Sequence, residues 1–346
     1  MPVTPLAPSL ARFLPSGMSA TSLPPGESPR LLIAAESPLE RWRLSALFPA
    51  FRLPAKLRRQ ALRVTSTLGL LPTHVVPDHS PELHDFVAAH LPDVTASALL
   101  IGTDGPAQKL VVQFWRGDRI VAYLKYAEKP KAVDRLLRER VILGQVPEGL
   151  GPRVLQAGPL FDGQALLLEA IPGRTLVAIE RPPNDAIALL DSLPKGEPRE
   201  VGDHPWLRAI ATYGELSIER YLAVLADRPW PTVFQHGDFA PWNLVRGPDG
   251  VLRAIDWEYG VVDGFPHLDS VHYTLQVGLL VHRLSPWSAA ARAVSKLTAV
   301  DGLPSPTADA IVRLAALQGY LDNQRDGVPP EAPLQAARRS IVTEPS

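Results

Sequence analysis

The stretch QHGDFAPWNLVRGPDGVLRAIDWEYG, Gln235–Gly260, decides the reading of this chain. It gathers Asp238, Asn243, Asp256 and Glu258 around His236, with Trp242, Trp257 and Tyr259 between them. Gly-Pro-Asp-Gly at 247–250 is a turn between two short apolar runs, so the segment folds back as a hairpin. Hairpin pairing sets residues from its two ends side by side, which makes neighbours of Asp238, Asn243 and Asp256. Carboxylates and an amide carbonyl are the hard oxygen ligands that Mg2+ takes, and a carboxylate beside them can orient a hydroxyl. A polar surface loop is the plain alternative.

Upstream of this stretch the chain reads as strands. ALLIGTDGP (98–106), QKLVVQFW (108–115) and RIVAYLKYA (119–127) are short β-branched runs joined by Gly/Asp turns, an antiparallel meander. KAVDRLLRERVILGQV (131–146) has helical spacing, and residues 152–176 read as two more strands about Asp162-Gly163. Downstream of 177 the pattern is mainly helical, near 184–194, 205–227, 267–283, 287–299 and 306–324. A β-rich lobe with one main helix therefore precedes a mostly α lobe, an α+β architecture.

Two residues of the first lobe stand out. Lys125 sits inside an otherwise apolar strand, either as an edge-strand lysine or as a phosphate-binding cation. Glu139 falls on the helix face of Leu136 and Leu143, where an acid needs a partner. The two are expected to pair; Glu128 is the rival, placed too close to the strand end.

Composition narrows the rest. With 346 residues and a net charge of -1, nothing points to a nucleic-acid partner. The chain has no cysteine, which excludes disulfides, thiolate catalysis and cysteine zinc sites and fits a cytoplasmic location. No apolar run is long enough for a membrane span, and the first residues do not read as a signal peptide. Prolines crowd the first 30 and the last 45 residues, so residues 1–90 are expected to form a partly disordered extension, with PRLLIAA (29–35) as a candidate short strand, and 331–346 a flexible tail. Within the extension, residues 40–64 carry Arg41, Arg43, Arg52, Lys56, Arg58, Arg59 and Arg63 beside Trp42, Phe48 and Phe51, and Glu40 is the sole acid. The second half is an amphipathic helix. It either docks weakly on an anionic membrane surface or packs on the body with arginine stems over apolar side chains.

HGDFAPWN followed by IDWEYG resembles the catalytic and metal motifs of the aminoglycoside phosphotransferase/choline kinase superfamily, a branch of the protein-kinase-like fold. The resemblance covers about residues 95–325 and implies a bilobal chain, with a nucleotide-binding lobe over 91–171 and a catalytic, acceptor-binding lobe over 172–330. It implies ATP and Mg2+ as cofactors, Asp238 as catalytic base, and Asn243 and Asp256 as metal ligands. His236 would brace the loop, and Lys125, held by Glu139, would bind phosphates. Gly102, Thr103 and Gly105 would cover the phosphates, although IGTDGPAQK lacks the full Gly-x-Gly-x-x-Gly and an ordinary hairpin turn is the other reading. Backbone groups from Glu169 to Ile171 would meet the adenine edge. Glu258 either faces the acceptor or bonds to backbone, and Asp269 braces a loop or helix end. The activity implied is transfer of a γ-phosphoryl group to a hydroxyl of a small molecule, a sugar, an amino alcohol or an aminoglycoside-like compound. The alternative is a catalytically silent nucleotide-binding regulator; a paired-carboxylate glycosidase leaves Lys125, Glu139 and Asn243 without roles.

Overall fold

The computed structural model describes residues 4–25, 29–48, 53–78, 81–212, 216 and 218–343. The chain divides into two compact units, residues 1–140 with 153–170 and residues 141–152 with 171–346. The chain passes from one to the other at Ala170–Ile171, just before Pro172-Gly173.

The first unit is built on one nine-stranded sheet. Its strands are β1 (Thr4–Pro5), β2 (Ser19–Leu23), β3 (Leu31–Ala34), β4 (Thr73–Val75), β5 (Ala96–Ile101), β6 (Leu110–Arg116), β7 (Arg119–Ala127), β8 (Val154–Leu160) and β9 (Gly163–Glu169). Their order is β1-β4-β2-β3-β5-β6-β7-β9-β8, antiparallel except for the β1–β4 pair. Its helices are α1 (Pro8–Ala11), α2 (Pro38–Leu44), α3 (Leu53–Thr67), α4 (Glu82–Ala88) and most of α5 (Pro130–Leu143). Side chains alternate across a strand. Thus Leu32 and Ala34 of β3 enter one core cluster with Leu99, Leu124 and Tyr126, while Leu31 and Ile33 enter another with Ala96, Ala98 and Leu44. Burial on both faces explains why this strand reads as a continuous apolar run.

The expectation of a partly disordered extension over residues 1–90 is corrected. β1 to β4 continue the sheet through β3, whose Leu31 to Ala34 pair with Leu100 to Ser97 of β5. Without them β5 would expose an unpaired ladder of backbone groups beside an apolar face. The prolines do not prevent this, because Pro5 lies in the edge strand β1, where a missing N–H costs no ladder bond. The lobe accordingly holds nine strands rather than five. Phe51 and Arg52 lie outside the described residues, as does the side chain of Lys56. The Arg63 guanidinium lies 4.0 Å from the Trp42 ring centre and donates to the Trp42 carbonyl, so this arginine covers apolar surface. Leu57, Val64 and Leu68 stay exposed on the opposite side of α3. No helix among the described residues is long and apolar enough to cross a membrane.

The second unit contains β10 (Arg174–Thr175), β11 (Lys195–Arg199), β12 (Trp230–Gln235), β13 (Leu244–Arg246), β14 (Leu252–Ala254) and β15 (Val261–Gly264), with helices α6 (Asn184–Ser192), α7 (Pro205–Ala211), α8 (Glu219–Leu225), α9 (Leu268–Gln276), α10 (Pro286–Ala299), α11 (Ser305–Arg325) and α12 (Pro333–Thr343). One small sheet is β10-β13-β14, the other β11-β12-β15. The helix expected over 205–227 is two helices, α7 and α8. That expected over 267–283 is α9 followed by a π turn at Val277–Val281. α11 is the central helix: Ile311, Val312, Leu314, Ala316 and Leu317 point round most of its circumference and all are buried. A helix that is apolar all round belongs inside.

The flexible tail expected over 331–346 is also corrected. Pro333 opens α12 at the helix start, a position where its missing N–H is no loss. The helix buries Ile341 and Val342, and Arg338 donates to the Gly319 carbonyl at 2.7 Å. Gly319 makes room for this: a Cβ there would stand 2.7 Å from the Arg338 guanidinium carbon. Residues 344–346 lie outside the described residues.

Candidate active site

In the first unit, Lys125 is central in β7, between Val111 of β6 and Leu166 of β9, so it is not an edge-strand lysine. Alternation places it on the sheet face opposite Leu124 and Tyr126. Its Nζ donates to both Glu139 oxygens, at 2.6 and 2.7 Å. Glu139, on α5, is fully buried beside Leu136 and Leu143. A fully desolvated carboxylate on an apolar helix face persists only with such a partner. The rival Glu128 is held elsewhere, by Arg12 and by the Tyr126 hydroxyl at 2.6 Å.

The 102–105 turn closes on itself. The Gly102 amide donates to the Lys109 carbonyl at 2.8 Å, and a Cβ at Gly102 would meet that oxygen at 2.5 Å, so the close approach needs glycine. The Gly105 amide donates to Asp104 Oδ1 at 2.9 Å, and Lys129 caps the turn through Asp104, the Gly105 carbonyl and Gln108. Thr103 receives a 3.4 Å contact from Arg30. Both glycine amides are thus engaged within the hairpin, as in an ordinary turn. The Asp104 carboxyl is held below its usual range, chiefly by its bond to Lys129. Glu169 ends β9 and accepts from Arg153 at 2.6 Å, and Ile171 begins the second unit.

In the second unit, the segment after β12 forms a loop whose backbone is fixed from α9. The buried Asp269 accepts from the His236 amide at 2.7 Å and the Gly237 amide at 2.9 Å. Burial pushes its carboxyl up; His236 and the two amide donors pull the other way. Asp269 is therefore a loop brace. His236 is structural as well: its Nδ1 accepts from the Asp238 amide and its Nε2 donates to the Ile255 carbonyl at 2.9 Å, tying this loop to the hairpin's exit. Gly237, at φ 82°, lies so close to the 257–259 turn that a Cβ would fall 2.2 Å from the Tyr259 carbonyl oxygen.

The hairpin β13–β14 returns the chain to Asn243 just before Asp256. Leu244 pairs with Ala254, and the Ile255 amide donates to the Asn243 carbonyl at 2.9 Å. Asn243 Nδ2 donates to both the Asp238 carbonyl and Asp238 Oδ2, each at 2.9 Å. Two acceptors on one face fix the amide's orientation and leave its oxygen as the atom available to a ligand. Asp256 follows at φ 70°, a left-handed conformation that Asp tolerates better than most residues and that recurs at functional sites. An amide oxygen and a carboxylate are hard donors, so this pair fits Mg2+. Asp238 keeps 27% of its side chain exposed, enough for an incoming hydroxyl.

Two of the stretch's aromatics are engaged within the fold. Trp257 is fully buried, 4.5 Å from the His236 ring, and its Nε1 donates to the Ala254 carbonyl; the Tyr259 hydroxyl is bonded to Asp326. The scattered acids of the C-terminal region are engaged within the unit: Asp309 by Arg313 at 2.7 Å, Asp322 by Arg325 at 3.3 Å and Asp301 by His267 at 3.3 Å. One site residue went unread in the sequence. His272 of α9 places Nε2 2.9 Å from Asp238 Oδ1. Its signal was spacing: it follows Asp269 by three residues and shares its helix face.

No family model matches the chain, and no curated protein matches it. Among solved structures, it is similar to an aminoglycoside-3'-phosphotransferase of type VIII, with 22% identity and a TM-score of 0.41 over 69% of this chain and 100% of that one. It is also similar to choline kinase LicA from Streptococcus pneumoniae (16% identity, TM-score 0.44, 75% and 96% covered). A third is macrolide 2'-phosphotransferase MphH from Brachybacterium faecium (17% identity, TM-score 0.43, 77% and 99% covered). At these identities and TM-scores the likenesses assign neither an acceptor nor an activity to this chain.

Proposed function

We propose that this chain is an ATP-dependent phosphotransferase that moves a γ-phosphoryl group to a hydroxyl of a small molecule. The observation that carries the reading is the Asp238–Asn243–Asp256 arrangement. A half-exposed carboxylate, an amide whose oxygen is left to a ligand, and a left-handed aspartate are joined by one hairpin and braced by a buried acid. In this reading Asp238 orients the acceptor hydroxyl and takes its proton, while Asn243 and Asp256 hold Mg2+. Bound Mg2+-ATP supplies the transferable phosphoryl group and the cation that stabilises the charge developing on it. Lys125, fixed by Glu139, is the cation for the α- and β-phosphates; neutralised by its partner when empty, it is pre-positioned rather than free to wander. A silent nucleotide-binding protein would have no need to keep both the Lys125–Glu139 pair and the Asp238–Asn243 pair.

The engagement of Asp301, Asp309, Asp322 and Asp326 within the fold turns the acceptor away from aminoglycoside-like polycations and toward a neutral or anionic polyol such as a sugar. The test is ADP release from Mg2+-ATP across a panel of sugars, amino alcohols and aminoglycosides, on wild type and Asp238→Asn. The reading expects turnover with one class and a loss of about a thousandfold in the variant, at unchanged ATP affinity. Wild-type turnover in Asp238→Asn removes Asp238 from the role of base.

A further inference from the structure

We infer that His272 is a positioning residue for Asp238: through Nε2–H it holds the carboxylate in the one orientation that serves an acceptor hydroxyl. The inference rests on the reading of Asp238 as the base and adds a residue to it.

Two oxygens of one carboxylate are gripped from two different parts of the chain. Asn243, in the turn before β13, donates to Oδ2 at 2.9 Å, and His272, in α9, lies against Oδ1 at 2.9 Å. A carboxylate has about four lone-pair sites, so one donor per oxygen fixes its plane and leaves one site on each for a hydroxyl. Asn243 alone would fix one oxygen and leave the group free to swing about it. The second grip comes from the helix that already holds the loop's backbone: Asp269 takes the His236 and Gly237 amides, and His272, one turn on, takes the Asp238 side chain. Backbone and reacting group are thereby referred to the same rigid element.

The proton's place on His272 follows from its other neighbour. Gln276 Nε2 lies 3.0 Å from the same His272 nitrogen, while the buried Gln276 Oε1 meets no donor among the described residues. Two N–H groups do not face each other at that distance. Turning the amide over satisfies its oxygen and leaves His272 Nε2 as the donor to both acceptors. His272 is only 11% exposed, which limits competition from water for the bond. The buried Arg338 of α12 lies within electrostatic reach of Asp238. Arg338 already donates to the Gly319 carbonyl; it adds charge and no orientation.

A histidine kept for packing and one kept for its Nε2–H are separated by a matched pair of variants. In His272→Gln the side-chain amide nitrogen falls near the place of Nε2. In His272→Asn it stops one methylene short. Both are assayed as ADP release from Mg2+-ATP, with water and with the best acceptor found, beside Asp238→Asn. The inference expects His272→Gln to keep turnover within a few-fold and His272→Asn to lose about ten- to a hundredfold in kcat at unchanged KM for ATP. If the Asn variant does not fold, His272→Phe, which keeps ring volume without a donor, takes its place. Equal turnover in the two variants, high or low, overturns the inference, as does an Asn variant better than the Gln one. A readout free of turnover is the long-range 1H–15N spectrum of the wild type. It should show His272 as the Nε2–H tautomer, with a resonance that moves in Asp238→Asn; the Nδ1–H tautomer contradicts the assignment. Failure of the underlying reading looks different: Asp238→Asn then retains turnover whatever His272 does.

Discussion

Two glycine-bearing turns of this chain look alike in sequence and are held in opposite ways. The Gly102–Gly105 turn is held at the surface: Asp104, Gln108 and Lys109 within the hairpin and the exposed Lys129 beyond it take up its polar groups. The His236–Asn243 loop is held from within the unit, by the buried Asp269 and by His272 on α9 and by the Ile255 carbonyl beyond the hairpin. Bracing from within fixes the loop's backbone by its N–H groups and so sets the partly exposed Asp238 and the buried Asn243 at defined positions. A loop braced by distant buried groups can carry chemistry; a loop that closes on itself is a turn.

Removing the distant brace is the strongest way to break this contrast. Asp269→Ala strands the buried amides of His236 and Gly237, and a loss of about 2 to 4 kcal/mol is expected in urea unfolding, with turnover reduced as well. A variant of wild-type stability would mean the loop stands without α9. Glycine substitutions sharpen the same point. Gly237→Ala must relieve a 2.2 Å clash with the Tyr259 carbonyl oxygen at a φ of 82°, and a cost of about 2 to 4 kcal/mol is expected. Gly105→Ala meets no atom within 4 Å and bears only the strain of its φ of 150°, so about 1 kcal/mol is expected, with ATP affinity unchanged. Weakened ATP binding in Gly105→Ala would return that turn to the nucleotide site.

The smallest effect concerns the residue that leads into α9. His267 bonds Asp301 and holds its carboxyl below the usual carboxylate range. A depressed folded pKa contributes stability above the unfolded value and loses it as pH falls through the folded one. The melting temperature of wild type should therefore drop more than that of Asp301→Asn between about pH 5 and pH 3. Parallel curves would assign the pair no part in stability.

How much of this was legible depended on how far away each partner lay. Asp238, Asn243 and Asp256 share one hairpin whose turn residues announce it, and Lys125 and Glu139 were each conspicuous as a charge on an apolar face. The nine-stranded sheet was not legible. Leu31 pairs with Leu100 across an intervening proline-rich and basic segment, and nothing local in that segment marks the pairing. Proline content misled at both ends for one reason: it was read as breaking structure, whereas Pro5 sits in an edge strand and Pro333 opens a helix. His272 was overlooked because a lone histidine on a helix carries no signal until the face it shares with Asp269 is seen to meet the loop.

The central claim is a nucleotide and metal site built on Asp238, Asn243 and Asp256, and calorimetry tests it most directly. ATP is titrated into wild type and Asp256→Ala, each with and without Mg2+. The account predicts binding that depends on Mg2+ in wild type and disappears in the variant. Binding that Asp256→Ala leaves unchanged, or no binding under any of the four conditions, would contradict it.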